Sequence, residues 1–326
     1  MTQISQPDKR AAAGFDQPLL LTPAQDWVGW LAARAGKALL TLITGTSVVA
    51  VGLIFIFIVR EALPFFQSRG ISEALGSTQW YPQAPAGHEE FGMLALIFGS
   101  LDVTIGALLL AVPTGILAAL LLSDIVPFRA RQAIKPIIEL LAAIPSVAYG
   151  FFAVLVLAPA LQQYLGLPTG TNAFNSAVML AVMAIPTIVS VAEDALSAVS
   201  RDLREASYAC GATRAETLLK VVVPAAHNGI IAAIILGMMR AIGETMLVWM
   251  ASGNACQIPT PWWDLSQSVR TMTATIAGEM GETPKGSDHY HALFAVGLIL
   301  LVFSFATNLL SEHLLRRSHA KGGGHA

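Results

Sequence analysis

Six long apolar runs constrain the fold of this chain more than any other feature. They lie at about 38–59, 96–122, 137–161, 174–195, 229–250 and 292–310. An α-helix needs roughly 20 apolar residues to cross the hydrocarbon core of a bilayer, and each run is close to that length or longer. Hydrophobic residues make up 55% of the chain and charged residues only 12%, which excludes a soluble domain of this size. We therefore predict an all-α, polytopic membrane protein with about six transmembrane helices.

The runs divide the chain into a membrane domain at 38–312 and two polar tails at 1–37 and 313–326. Two longer loops, 60–91 and 251–291, contain aromatic and proline residues and are expected on the same side of the membrane. The first run exceeds the length of a signal-peptide core and no small-x-small cleavage site follows it, so we expect it to be retained as the first helix.

The most informative polar segment is residues 200–224. Ser200 can cap a first helix, and Gly211 can supply the left-handed turn that ends it. Thr213 and Glu216 have the spacing of a capping box, which predicts the start of a second helix, and Pro224 is expected to close the unit. The pattern indicates a helix-turn-helix docking element, although a polar loop between membrane helices can also contain Glu, Gly and Pro.

The spacing in this loop is more specific than its composition. Glu205, Ala206 and Ser207 are followed by Gly211 and, after nine intervening residues, by Val221-x-Val223-Pro224. This sequence resembles the EAA loop of ABC importer permeases, with Ser207 in place of the second alanine and valines in place of Ile and Leu. The resemblance implies that the loop at residues 200–224 docks onto a separate ATP-hydrolysing subunit, and we call it the coupling loop. The docking residues would be Glu205, Ala206, Gly211, Ala212, Thr213 and Glu216.

Lysine and arginine give the orientation. The amino tail, the loop at 123–136, the coupling loop and the carboxyl tail together hold 14 of the 19 basic residues. Because short cytoplasmic loops are enriched in Lys and Arg, we expect these four segments in the cytoplasm, and thus both termini on the inner side of the membrane. The resemblance implies that this is the bacterial cytoplasmic membrane. Cys210 and Cys256 would then lie on opposite sides and could not pair.

Arg240 is the costliest residue in the predicted spans, because a charged side chain at mid-membrane costs about 3 kcal/mol on insertion scales. Glu244 is four residues further on, so an ion pair within one helix is one interpretation. The other is that Arg240 faces a water-filled passage and binds a tetrahedral oxyanion with its fork of donors. The Glu244 carboxylate would repel sulfate but could accept a hydrogen bond from hydrogen phosphate, and Thr245 adds a donor.

Three prolines, Pro113, Pro145 and Pro186, lie in the second, third and fourth predicted spans, where kinks that shape the helix bundle are the simplest expectation. Beside Pro145, the hydroxyls of Ser146 and Tyr149 could line the substrate pathway. Four carboxylates lie near predicted span ends and are expected to be solvated at the interface: Asp102, Glu139, Glu193 and Asp194.

Metal binding is not expected. His289 and His291 near Asp288 form only a weak metal pattern, and a loop that contacts a partner is the preferred interpretation of that region. The tail histidines His313, His319 and His325 are more simply part of a flexible basic end.

A narrower resemblance rests on several segments together. Trp80-x-Pro82, the run from Leu140 to Phe152 containing Ile-Pro-Ser-Val-Ala-Tyr-Gly, Arg240-Ala-Ile-Gly-Glu-Thr, and Met272 to Glu279 are similar to the C-type permease subunit of the phosphate-specific transporter (Pst). The match runs from about 80 to 308.

The resemblance implies a type I ABC importer (MetI-like) permease fold and import of inorganic phosphate by alternating access. It implies a second, PstA-type permease subunit, a dimer of PstB-type ATPase subunits and an extracytoplasmic PstS-type phosphate-binding protein, all working in membrane lipid. It also assigns Arg240 and Glu244 to the translocation path.

The chain itself should bind no cofactor, since ATP and Mg²⁺ would be used by the ATPase subunit and no G-x-x-x-x-G-K-[ST] loop is present. The absence of H-E-x-x-H and G-x-S-x-G motifs argues against an intramembrane enzyme, and the net charge of -2 gives no argument for nucleic-acid binding. A permease for molybdate, sulfate or phosphonate is an alternative. An ATP-independent channel or secondary transporter is a weaker one, because no internal repeat is visible.

Overall fold

The computed structural model describes residues 23–85 and 88–322 of the 326-residue chain. Two compact units are distinguished, Met1–Phe57 and Ile58–Ala326, and all contacts given below lie within the second. The helices are α1 Pro23–Ser68, α2 Gly70–Gly76, α3 Leu94–Leu120, α4 Phe128–Ala143, α5 Ser146–Phe152, α6 Ala158–Leu165, α7 Ala173–Ser197, α8 Arg201–Ala209, α9 Arg214–Thr217, α10 Val223–Ile242, α11 Met246–Ala251, α12 Met272–Glu279 and α13 Asp288–Gly322. Strands β1 (Trp80–Tyr81) and β2 (Glu90–Phe91) form one short antiparallel pair.

Among the described residues, three π-helical turns link or extend these helices. Leu121–Ile125 continues α3, Ala153–Leu157 joins α5 to α6, and Leu218–Val222 joins α9 to α10. Within the described residues, six helical segments are long and apolar enough to cross a membrane. They are Gly29–Ser68, Leu94–Ile125, Ser146–Leu165, Ala173–Ser197, Arg214–Ile242 and Asp288–Leu309. The prediction of an all-α protein with six spans is confirmed.

The ends of the membrane domain differ from the prediction. The first helix begins at Pro23 inside the predicted amino tail and continues past residue 59 to Ser68. The last helix runs to Gly322, through most of the predicted carboxyl tail. The side chains of the tail histidines His313, His319 and His325 lie outside the described residues.

The third span is displaced toward the carboxyl end. The predicted run 137–161 is broken at Ile144 and Pro145, and the backbone of Ile144 is extended, with ψ of 130°. A residue before proline is pushed out of the helical region by the proline ring, so α4 ends at Ala143 and the span begins at Ser146. Residues 137–143 therefore belong to α4, a separate amphipathic helix in which no side chain is fully buried.

The fifth predicted span is also not one helix. Pro224 does not close the coupling loop, because helical backbone continues through it: the π-helical turn Leu218–Val222 leads into α10, which runs on to Ile242. The break comes later, at Gly243–Thr245, and the short helix α11 follows it. Arg240 thus lies in the last turn of α10, and Glu244 lies in the break.

The core of the second unit is the contact of α3, α7 and α10. Ile188 of α7 is fully buried between two glycines. A Cβ on Gly115 of α3 would lie 2.8 Å from Ile188 Cγ2, and a Cβ on Gly237 of α10 would lie 2.6 Å from Ile188 Cγ1. Small residues allow such close approach of membrane helices, so these two glycines set the spacing of the three-helix core.

Candidate functional site

The coupling loop folds largely as its sequence predicts. Gly211 has φ of +85°, in the left-handed region that ends α8. Thr213 caps α9 with a complete capping box, in which its hydroxyl accepts from the Glu216 amide at 3.3 Å and its own amide donates to Glu216 Oε2 at 3.0 Å. Ser200 precedes α8 as the N-cap residue, but its side chain makes no capping hydrogen bond.

The predicted docking residues lie on the surface of this unit. Five of the six are exposed and Ala212 is half-buried; the exposed ones are Glu205, Ala206, Gly211, Thr213 and Glu216. The two short helices are held together from inside, since the hydroxyls of Ser207 and the buried Thr217 lie 2.9 Å apart. The loop therefore presents an ordered, polar outer surface.

Arg240 lies among helix ends, and its partners are neutral. Nη2 donates to the carbonyl of Ala142 in the last turn of α4 at 3.2 Å, and Nη1 donates to the Thr187 hydroxyl of α7 at 3.4 Å. Nε is buried and has no hydrogen-bond partner. A cation near the carboxyl end of a helix interacts favourably with the exposed carbonyls there, so α4 partly stabilises the charge.

Tyr149 and Ser146 flank the same helix end. Tyr149 is buried in α5, and its hydroxyl donates to the carbonyl of Leu141 at 2.9 Å. Ser146 is half-buried in the first turn of α5. The carboxyl end of α4 is thus held by Tyr149 through Leu141 and by Arg240 through Ala142.

The ion pair considered between Arg240 and Glu244 is not found among the salt bridges of the described residues. An ion pair at i,i+4 requires a continuous helix, but the backbone leaves the helix at Gly243. Glu244 Oε1 instead accepts from the Leu247 amide at 3.3 Å, at the start of α11, and its carbonyl accepts from the Thr273 hydroxyl at 2.9 Å. The Thr245 hydroxyl donates to the Gly243 carbonyl at 3.4 Å.

Glu193 is a residue whose environment the sequence did not reveal. It was expected to be solvated near a span end, but only 1% of its side chain is exposed. It is paired with Arg131 and with Lys135 of α4, the latter at 2.8 Å, and it accepts from the Ser197 hydroxyl at 2.9 Å. Asp194 also bonds Lys135, at 2.6 Å, but is 64% exposed. No local pattern signals this cluster, because its partners are far apart in the sequence.

A second polar cluster joins β1, α12 and the start of α13. Glu279 accepts from Arg270 Nη1 at 2.6 Å and Trp80 Nε1 at 3.0 Å and contacts His289 Nε2 at 2.9 Å. Burial raises the pKa of the Glu279 carboxyl, but these bonds and charges outweigh burial and hold the pKa below its usual value. We call these four residues the Glu279 cluster.

The two histidines of this region do not converge. His289 faces Glu279, whereas His291 Nδ1 lies 2.7 Å from the Glu61 carbonyl. No group of three or more His, Cys, Asp or Glu side chains suited to a metal ion occurs in the described part of the chain.

Comparison with known proteins decides the family. Residues 111–319, more than half of the chain, match the family described as binding-protein-dependent transport system inner membrane component. The probable ABC transporter permease protein YqgH of Bacillus subtilis is 39% identical over 284 residues, 86% of this chain and 90% of that protein. The phosphate transport system permease protein PstC of Mesorhizobium japonicum is 36% identical over 268 residues, 76% and 80% of the two chains. This chain belongs to the PstC-type family of ABC importer permeases.

Solved structures show the same fold for the permease. A chain of the bacterial alginate ABC transporter, solved in complex with its periplasmic protein, superposes with a TM-score of 0.60 at 18% identity and covers 88% of this chain and 97% of its own. A chain of the MetNI methionine ABC transporter in an inward-facing conformation gives 0.53 at 18% identity, over 69% and 97%.

The permease is therefore a multi-pass inner-membrane protein and the translocation subunit of an importer, not an enzyme. Membership of this family implies a second permease, an ATPase and an extracytoplasmic binding protein as partners.

Proposed function

We propose that inorganic phosphate is the substrate of this permease and that it passes Arg240 on its way through the membrane. Relatives that share 30–36% identity with most of the chain are phosphate transport system permeases, which supports the choice of substrate. The role of Arg240 is supported by its own geometry.

The observation that carries the proposal is a guanidinium without an ionic partner. In the described part of the chain Arg240 takes part in no salt bridge, its two hydrogen bonds are long and go to neutral oxygens, and Nε is unpartnered although buried. A charge removed from water is costly unless it is paired, so this site is suited to a diffusible anion. A tetrahedral oxyanion can bind two donors of the planar guanidinium at once.

The residues around the break give a basis for selectivity. Glu244 and Thr245 lie in the break that follows the last turn of α10. Ser146 and Tyr149 lie in α5, with which the next span begins beyond the end of α4. A carboxylate near the anion repels a fully ionised oxyanion such as sulfate, whereas hydrogen phosphate carries a proton that it can donate to that carboxylate. Glu244 would therefore favour phosphate.

Energy would come from the partner ATPase, which binds ATP and Mg²⁺, with no cofactor held by this chain. The coupling loop would dock on one ATPase of a PstB-type pair through Glu205, Ala206, Gly211, Ala212, Thr213 and Glu216. A PstA-type subunit would complete the pathway, and a PstS-type protein would deliver phosphate from outside. The exposure of the loop and its capped helices support a preformed docking element.

This assembly requires the coupling loop and both termini in the cytoplasm. The enrichment of Lys and Arg in the tails and in this loop supports that orientation. Cys210 is exposed in the loop, so a membrane-impermeant thiol reagent should label it in inside-out vesicles and leave it unlabelled in intact spheroplasts. Labelling only in spheroplasts would overturn the orientation.

Uptake of labelled phosphate by the assembled transporter tests the role of Arg240. Loss of hydrogen bonds made by a charged donor costs about 1.5–3 kcal/mol, so Arg240→Gln should lower uptake about tenfold to a hundredfold at limiting phosphate. Arg240→Lys keeps the charge but loses the planar arrangement of donors, so its uptake should lie between that of the parent protein and that of Arg240→Gln. Arg60→Gln removes an exposed positive charge elsewhere and is the matched control. Normal uptake by Arg240→Gln, inserted at the usual level, would refute the pathway role.

Competition experiments separate phosphate from the other oxyanions. Excess molybdate, sulfate or phosphonate should leave uptake of labelled phosphate unchanged in the parent protein, and sulfate should begin to compete in Glu244→Gln. Uptake that persists without ATP would favour a channel or secondary transporter instead.

A further inference from the structure

The buried carboxylate of Glu193 joins α7 to α4, which otherwise make little buried apolar contact. Helix α4 packs against α7, yet none of its side chains is fully buried, so apolar burial holds it only weakly. Glu193 of α7 is itself buried and is paired with both Arg131 and Lys135, which are one helical turn apart on α4. Arg131 also donates to the Ser197 hydroxyl of α7 at 2.7 Å. Charge pairing at this one place therefore holds α4 on α7.

The same end of α7 is attached to the coupling loop. Arg204 of α8 donates to the carbonyl of Leu196 in the last turn of α7 at 2.7 Å and is paired with Asp124 in the π-helical turn that follows α3. Arg204 and Asp124 are 17% and 16% exposed, so solvent screens this pair only partly. A displacement of α8 must therefore act on the ends of both α3 and α7.

The other end of α4 holds the guanidinium of the proposed pathway. Ala142, near the carboxyl end of α4, accepts the hydrogen bond from Arg240. A helix rises about 1.5 Å per residue, so Arg131 and Ala142 are roughly 16 Å apart along α4. Helix α4 thus connects the charge cluster near the coupling loop with the oxyanion-binding residue by one rigid element.

We propose that Glu193 is a positioning residue that transmits movement of the coupling loop through α4 to Arg240. When α8 displaces the end of α7, the Glu193 pairs carry α4 with it, and the Ala142 carbonyl moves relative to the guanidinium. Arg240 then exchanges its carbonyl partner for the substrate anion. This inference rests on the proposed function, because it takes Arg240 as the residue that binds phosphate.

The test is the number of phosphate ions transported per ATP hydrolysed, measured in proteoliposomes that contain the full transporter and its binding protein. Glu193→Gln keeps the shape and loses the charge. We expect Glu193→Gln to hydrolyse ATP within about twofold of the parent rate. The number of phosphate ions transported per ATP should fall by at least about fivefold, which is the lower end of typical coupling effects. Glu193→Asp keeps the charge on a shorter side chain and should restore part of the ratio.

Asp194→Asn is the matched control. Asp194 is the adjacent carboxylate and shares Lys135, but it is mostly exposed, so its removal should leave the ratio within about twofold of the parent value. An equal fall in Asp194→Asn and Glu193→Gln, or an unchanged ratio in Glu193→Gln, would overturn the proposal. If Glu193→Gln does not assemble, Lys135→Gln is the deciding variant, because in it Glu193 still has its ion pair with Arg131. An unchanged number of phosphate ions transported per ATP hydrolysed in Lys135→Gln would overturn the proposal as well.

Arg240→Gln in the same assay separates the two proposals. Normal uptake in that variant would remove the proposed pathway role whatever the Glu193 variants do. Defective uptake in Arg240→Gln together with a normal ratio in Glu193→Gln would leave the proposed function standing and remove only the coupling role of Glu193.

Discussion

Replacing Glu279 with glutamine should open the Glu279 cluster locally. The carboxylate is 18% exposed and has three partners at 2.6–3.0 Å, one of them the guanidinium of Arg270. Breaking a buried ion pair by removing one partner costs about 3–5 kcal/mol, because the remaining charge is left unpaired. Arg270 is 26% exposed and keeps its bond to the Asn254 carbonyl, so we take the low end, about 3 kcal/mol.

Cys256 reports this opening, since its thiol lies beside the Glu279 cluster and burial raises its pKa. If local opening precedes reaction with a thiol reagent, about 3 kcal/mol corresponds to labelling faster by roughly two orders of magnitude. The rate would be followed by mass spectrometry in a Cys210→Ser background. Glu282→Gln alters the next, exposed carboxylate and serves as the control. Equal labelling rates in Glu279→Gln and Glu282→Gln would show that the cluster does not hold this region closed.

Three further results are expected. The folded-state pKa of Glu279 is lowered, so the stabilisation by this carboxylate is present above its unfolded-state pKa and is lost as the pH falls through the folded-state pKa. The thermal unfolding temperatures of Glu279→Gln and the parent protein should therefore converge in acid, and a difference that stays constant with pH would contradict this. Thr213→Ala should cost about 1 kcal/mol at the start of α9 and speed amide exchange there, and unchanged exchange would argue against the capping box. Gly115→Ala should cost about 1–3 kcal/mol in thermal unfolding because Ile188 cannot yield, whereas Gly281→Ala, with nothing within 4 Å of the new Cβ, should be neutral.

Local signals predicted the parts of this structure that depend on neighbouring residues. The six spans follow from apolar length, and the left-handed Gly211 and the Thr213 capping box follow from short-range rules that need no tertiary partner. The break before Pro145 was open to prediction in the same way, since proline disfavours helix at the preceding residue. The apolar pattern nevertheless continues across this break, and for that reason the sequence predicts only a kink there.

The remaining features depend on contacts that hydropathy does not encode. The break at Gly243–Thr245 separates Arg240 from Glu244 although their spacing suits one helix face. Glu193 near a span end has the sequence context of a solvated carboxylate, and its partners on α4 are about sixty residues away in the chain. Such pairs become visible only when the helices are placed side by side.

The packing of Ile188 between Gly115 and Gly237 limits how α3, α7 and α10 can move relative to one another. With a branched side chain inserted between the backbones of α3 and α10, none of the three helices can slide or rotate without forcing the others apart. Around Ile188 the three helices should therefore stay packed together through the transport cycle, while the carboxyl end of α7, which carries Glu193 and Leu196, lies beyond this contact and can move with α8. Helical hydrogen bonding is already interrupted at Ile144–Pro145 and Gly243–Thr245, so these two places are suited to act as hinges, and both adjoin the polar residues proposed to bind the anion.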